Sequence, residues 1–75
     1  MSSVAEAVRE QLMASNEKYQ TLRKEHTQYA TELEKLSTKT HLNEQEKLEE
    51  IRLKKLKLWV KDQMEMLVRQ QAQVH

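Results

Sequence analysis

The chain has 75 residues, of which 13 are lysine or arginine and 12 are aspartate or glutamate, so its formal net charge at pH 7 is +1. A chain of this length can bury only one small core, and a near-neutral charge balance gives no bulk attraction to a polyanion. Cysteine is absent, which excludes disulfides and thiolate metal sites, and the absence of glycine and proline favours helix throughout.

The first predicted element is a long helix over residues 3–37. Ser2 or Ser3 is expected to cap it, with Glu6 completing a capping box. Its apolar positions recur at alternating steps of four and three, which is the spacing of a coiled-coil seam. The seam consists of Val8, Leu12, Ser15, Tyr19, Leu22, His26, Tyr29, Leu33 and Leu36.

Residues 37–43 collect short polar and β-branched side chains of weak helix propensity, and they predict a turn over about 38–43. Asn43 then has the character of an N-cap, with Glu46 as its capping-box partner, so a second helix is expected over about 44–71. These elements predict an all-α, single-domain chain that forms an antiparallel two-helix hairpin over residues 1–75. A continuous helix in a parallel coiled coil is the alternative, because the turn contains no glycine.

The second helix carries apolar residues around about two-thirds of its circumference, which is more than one partner helix can cover. The first helix supplies one partner, and a second copy of the chain is the simplest source of another. The sequence therefore predicts a homodimeric four-helix bundle, with a different protein or a nonpolar surface as the alternative partner. The predicted interface lies on two adjacent faces, Leu53, Leu56, Val60, Met64 and Leu67 on one and Leu48, Ile51, Leu58, Trp59 and Met66 on the other.

A basic segment of the second helix suggests a different function. Lys54, Lys57 and Lys61 share one helix face near a tryptophan, as in helices that bind nucleic acid or an anionic membrane surface. Glu50 and Glu65 lie four residues from Lys54 and Lys61 and partly neutralise this face. Such binding is therefore an alternative to protein–protein interaction.

No feature of the sequence indicates catalysis. The three histidines are far apart in the chain, and His26 has no histidine or carboxylate at the spacing of a helical metal pair. We therefore expect a non-enzymatic protein with no cofactor, no metal and no small-molecule substrate. The start of the chain lacks the apolar run of a signal peptide, and no 18-residue apolar stretch occurs, so the expected location is the cytoplasm.

Residues 22–33 (LRKEHTQYATEL) and 53–64 (LKKLKLWVKDQM) resemble the YdcH-like family of small bacterial proteins. His26 on the first helix matches the family pattern, as do Lys55 and Asp62 on the second. Ala30 stands where an acidic residue is usual, and residues 63–64 also depart from the pattern. The resemblance covers roughly residues 12–68 and implies a helical hairpin from a family of unknown physiological role. It adds a structural signature and no catalytic residue.

Overall fold

The computed structural model describes residues 4–73 and is all-α over that range. Three helices follow one another: α1 over Val4–Ser15, α2 over Glu17–Ser37 and α3 over Glu44–Gln73. The predicted second helix therefore begins where expected and extends two residues further. The predicted caps Ser2 and Ser3 lie outside the described residues.

The single helix predicted over residues 3–37 is wrong, because the chain changes direction at Asn16. This residue has extended backbone angles, φ −107° and ψ 110°, and its side-chain oxygen accepts a hydrogen bond of 2.8 Å from the Tyr19 backbone N–H. Asn16 is thus the N-cap of α2. Its own backbone N–H still donates to the Leu12 carbonyl at 2.8 Å, so the break changes the helix direction without inserting a loop.

The break also removes one position from the predicted seam. Ser15 is exposed, and its hydroxyl donates to the Gln11 carbonyl at 2.8 Å. Short polar side chains compete in this way with regular helix hydrogen bonding, and a helix end suits them better than its middle. The seam resumes in α2 with Tyr19 and Leu22, which are both buried.

The connection between α2 and α3 is held by a capping box. The Asn43 side-chain oxygen accepts from the Glu46 backbone N–H at 2.8 Å, and the Glu46 carboxylate accepts from the Asn43 backbone N–H at 3.0 Å. Lys39 forms an ion pair with the same carboxylate. The hydrogen bond from Lys39, followed by that from Asn43, lowers the pKa of Glu46 below its ordinary value. The predicted start of the second helix is confirmed by this geometry.

The core lies where α3 packs against both α1 and α2. Leu53 and Val60 of α3 are the most deeply buried side chains, at 2% and 1% exposure. Tyr29, Leu67 and Ala72 lie partly buried against the main cluster. That cluster combines all three helices and consists of Val8, Leu12, Tyr19, Leu22, Val60, Met64 and Val68.

Two ion pairs fix the direction of α3. Lys39 pairs with Glu46 beside the connection, whereas Arg9 of α1 pairs with Glu65 far along α3, at 3.1 Å. Therefore α3 runs back along α2 and then along α1, and the molecule is an elongated body of 50 × 20 × 19 Å.

Candidate interaction surfaces

The first candidate site is a row of exposed apolar side chains on α3. At 100° per residue these side chains fall within an arc of about 100°, on the side of the helix away from the core. About half or more of each of these large apolar side chains is exposed to solvent. The row, called here the apolar face, consists of Leu48 at 66%, Ile51 at 50%, Leu58 at 60%, Trp59 at 56% and Met66 at 49%.

The other predicted interface face of α3 is used within the chain. Leu53, Val60 and Met64 are buried, and Leu56 and Leu67 are partly buried. Burial against α1 and α2 removes the first three from the surface that a partner can reach, so their assignment to the interface is corrected. Val68 is also buried, at 5% exposure, although it was not among the predicted interface residues.

Two polar side chains interrupt the apolar face. Lys55 and Asp62 are exposed and lie near the middle of its arc. Among residues 4–73 the ion pairs involve other side chains, so neither charge is neutralised within the chain. The third family-signature residue, His26, lies on α2 beside a different surface. The structure therefore does not bring His26 together with Lys55 and Asp62.

The second candidate site is an open groove of about 810 Å³ between α3 and the two preceding helices. Tyr19, Leu33, Leu58 and Met64 form its apolar lining, and Glu65 is its acidic member. Six basic side chains line the same groove: Arg9, Arg23, His26, Lys54, Lys57 and Lys61. We call this surface the basic groove.

The charges of the basic groove act on His26. Burial lowers the pKa of its imidazole below the ordinary histidine value, and neighbouring positive charges lower it further. Those charges belong to Lys57, Arg23 and Lys61. The imidazole is therefore biased towards its neutral form, and an anion bound in the groove would oppose that bias.

The ion pair between Arg9 and Glu65 lies in the groove lining. Both side chains are substantially exposed, at 44% and 38%, so the pair contributes little to stability. It neutralises one arginine and leaves an excess of positive charge on the groove. The sequence pointed to Lys54, Lys57 and Lys61 but missed Arg9 and Arg23, because only folding brings them alongside α3.

The described chain shows neither a metal site nor a transmembrane helix. Over residues 4–73, no group of three histidine or acidic side chains converges in a way that could hold a metal ion. None of α1, α2 and α3 combines the length and apolar character needed to cross a bilayer. Comparison with protein-family models, with curated proteins and with solved structures found no match for this chain.

Proposed function

We propose that the chain is a non-enzymatic helical hairpin, with its first arm interrupted at Asn16, that acts as a self-associating protein–protein interaction module. The apolar face of α3 carries this proposal, since its five large side chains are each about half exposed or more. Groups of large exposed apolar side chains on the surface of a protein mark interaction sites. Dimerisation would pair two copies of α3 at the centre of a four-helix bundle.

The two apolar faces of α3 differ in what covers them. One face packs against α1 and α2, whereas no helix among residues 4–73 covers the apolar face. Complete burial of a large apolar side chain contributes about 1.5–3 kcal/mol, and this gain is offset by the entropy lost on association. The five side chains are already partly covered, so each would gain only about half of that amount, and the ten of them in a dimer can together offset the cost.

Sedimentation equilibrium from low to high micromolar concentration tests the proposal directly. A reversible monomer–dimer equilibrium is expected, accompanied by a blue shift of the emission of Trp59, the only tryptophan. Met66→Ser should move the equilibrium towards monomer. Met13→Ser is the matched control, because Met13 is 42% exposed on α1, away from the apolar face. A folded wild-type monomer at every concentration would exclude self-association.

Membership of the YdcH-like family is proposed on the two matching segments alone. His26, Lys55 and Asp62 are the residues that support it. A bacterial origin and a cytoplasmic location belong to the same proposal. Fractionation of cells that express the chain from its native locus would test the location, with recovery in the soluble fraction as the expected result.

The basic groove supports a second candidate function, the binding of nucleic acid or of an anionic membrane surface. The supporting observation is that Arg9, Arg23 and His26 line the same groove as the lysines of α3. Binding should weaken steeply with salt, because counterions are released on contact with a polyanion.

Duplex DNA, single-stranded RNA and vesicles containing an anionic lipid are the probes for the second function. Lys57→Gln should weaken binding, whereas Lys47→Gln on the same helix lies outside the groove lining and serves as the control. Equal effects of the two substitutions would show that no defined groove is used. The absence of binding to all three probes at low salt would exclude this function.

A further inference from the structure

The apolar face of α3 has a two-fold symmetry in its sequence. Its centre is the point between Leu58 and Trp59. Lys55 lies three positions before Leu58, and Asp62 lies three positions after Trp59. At seven positions from the same two residues are Ile51 and Met66. Apart from Leu48, the residues of the face therefore have the same spacing when α3 is followed from either end.

An antiparallel copy of α3 reverses the order of the residues. A two-fold axis through the point between Leu58 and Trp59 would therefore place every residue of the face opposite its symmetry mate. Leu58 and Trp59 lie on opposite flanks of the face, so each would contact its own counterpart in the second copy, and Ile51 would contact Met66 of the second copy. Four of the five apolar side chains would therefore meet another large apolar side chain, and Leu48 would lie opposite Arg69.

The charged residues of the face obey the same symmetry. Under this axis Lys55 faces Asp62 of the second copy, and the contact occurs twice because it is reciprocal. In a parallel, in-register pair Lys55 would instead face Lys55, and Asp62 would face Asp62. Like charges inside an apolar interface are strongly unfavourable, so charge complementarity selects the antiparallel arrangement. The dipoles of two adjacent helices favour the same arrangement.

We infer that two copies of this chain associate through α3 in antiparallel orientation, with Lys55 of each copy paired to Asp62 of the other. This inference rests on the proposed self-association and specifies its geometry. Both charges are exposed and belong to no ion pair within residues 4–73, so they are available to a second copy.

The ends of the interface also fit a second copy. Leu48 and Arg69 are symmetry mates, ten positions from Leu58 and Trp59 respectively. Both are exposed, and the long aliphatic stem of an arginine can cover a leucine while its charged group remains in water. From Leu48 to Arg69 the contact would extend for about 32 Å along α3 at 1.5 Å per residue. The contact would therefore extend over most of the length of α3.

Charge reversal tests the pairing. Lys55→Glu alone should weaken dimerisation on the order of tenfold, because both reciprocal contacts become repulsive. Asp62→Lys alone should have a similar effect. The double variant, Lys55→Glu with Asp62→Lys, restores both contacts and should recover wild-type affinity. Lys24→Glu, an exposed charge reversal on α2, is the control. Circular dichroism verifies that every variant remains helical.

Disulfide trapping tests the orientation independently. The chain contains no cysteine, so any introduced thiol is the only one in its chain. Ile51→Cys and Met66→Cys should cross-link when the two variants are mixed and oxidised, but neither should cross-link with itself. A parallel pair gives the opposite result, because identical positions then lie side by side.

The outcomes separate the two proposals. A wild-type chain that remains monomeric at all concentrations overturns the proposed function and this inference together. A wild-type dimer in which Ile51→Cys cross-links with itself, or in which the double charge reversal fails to restore affinity, overturns the antiparallel pairing alone. Mixed cross-linking together with restored affinity supports the pairing.

Discussion

Truncation of two leucines on α3 separates stability that comes from folding from stability that comes from association. Leu53 is 2% exposed, whereas Leu58, five residues further along the same helix, is 60% exposed. Leu→Ala changes helix propensity equally at both positions, so that contribution cancels. The difference between the two variants therefore reports on burial.

The expected cost at Leu53 is large relative to the stability of the chain. Removal of a buried leucine side chain costs about 2–5 kcal/mol, including the cavity that remains. A single core in a chain of this length rarely provides more than about 3–5 kcal/mol. Leu53→Ala should therefore abolish most of the cooperative unfolding transition. At concentrations where the chain is monomeric, Leu58→Ala should change the free energy of unfolding by less than about 0.5 kcal/mol.

Urea unfolding followed by circular dichroism at several protein concentrations is the measurement. The deficit of Leu53→Ala should persist at every concentration, because it originates within the chain. A deficit of Leu58→Ala should emerge only as concentration rises and dimer forms in the wild type. Equal losses from the two variants under monomeric conditions would refute the assignment of Leu53 to the core and of Leu58 to the surface.

Three further predictions concern local interactions. Asn16→Ala should cost about 1 kcal/mol, measured by urea unfolding, because it removes the N-cap of α2; a more stable variant would show that the break is not needed. Because the pKa of His26 is lowered on folding, stability should fall as pH drops through the ordinary histidine value of about 6.5. His26→Gln should reduce this dependence in thermal melts, and an unchanged slope in that variant would contradict the assignment. Glu46→Gln should lower the unfolding midpoint at neutral pH and reduce its loss in acid, since the lowered pKa of Glu46 stabilises the fold only above its ordinary titration range; an unaltered acid profile would argue against the pairing with Lys39.

The helical class and the start of α3 were predictable because their causes are local. Composition without glycine and proline dictates helix, and Asn43 with Glu46 forms a capping box from residues three positions apart. The break at Asn16 had a weaker signal, an asparagine followed by a glutamate, which is typical of a helix start. The regular seam on both sides of Asn16 outweighed that signal, since Leu12 before the break and Tyr19 after it keep the apolar spacing.

The surfaces were less predictable than the helices because they depend on which faces meet. A helical wheel showed two apolar faces on α3, but only packing determines that Leu53 and Val60 are inside and that Trp59 is outside. The basic groove has the same origin. Arg9 and Arg23 are separated from Lys54, Lys57 and Lys61 by more than 30 residues in sequence, and no local pattern connects them.

The position of the core also sets the order in which the chain can fold. Apart from Leu53, the buried residues lie far from the connection, and Val8 and Val68 belong to one cluster although 60 residues separate them. The contacts that stabilise the fold therefore require closure of nearly the whole chain, whose entropic cost precedes their gain. Around the connection Leu48 and Ile51 remain exposed, so the capping box there gains little from neighbouring apolar contacts. Folding should accordingly be slower than in a hairpin that zips from its turn, and amide hydrogens near the connection should exchange before those beside Val60.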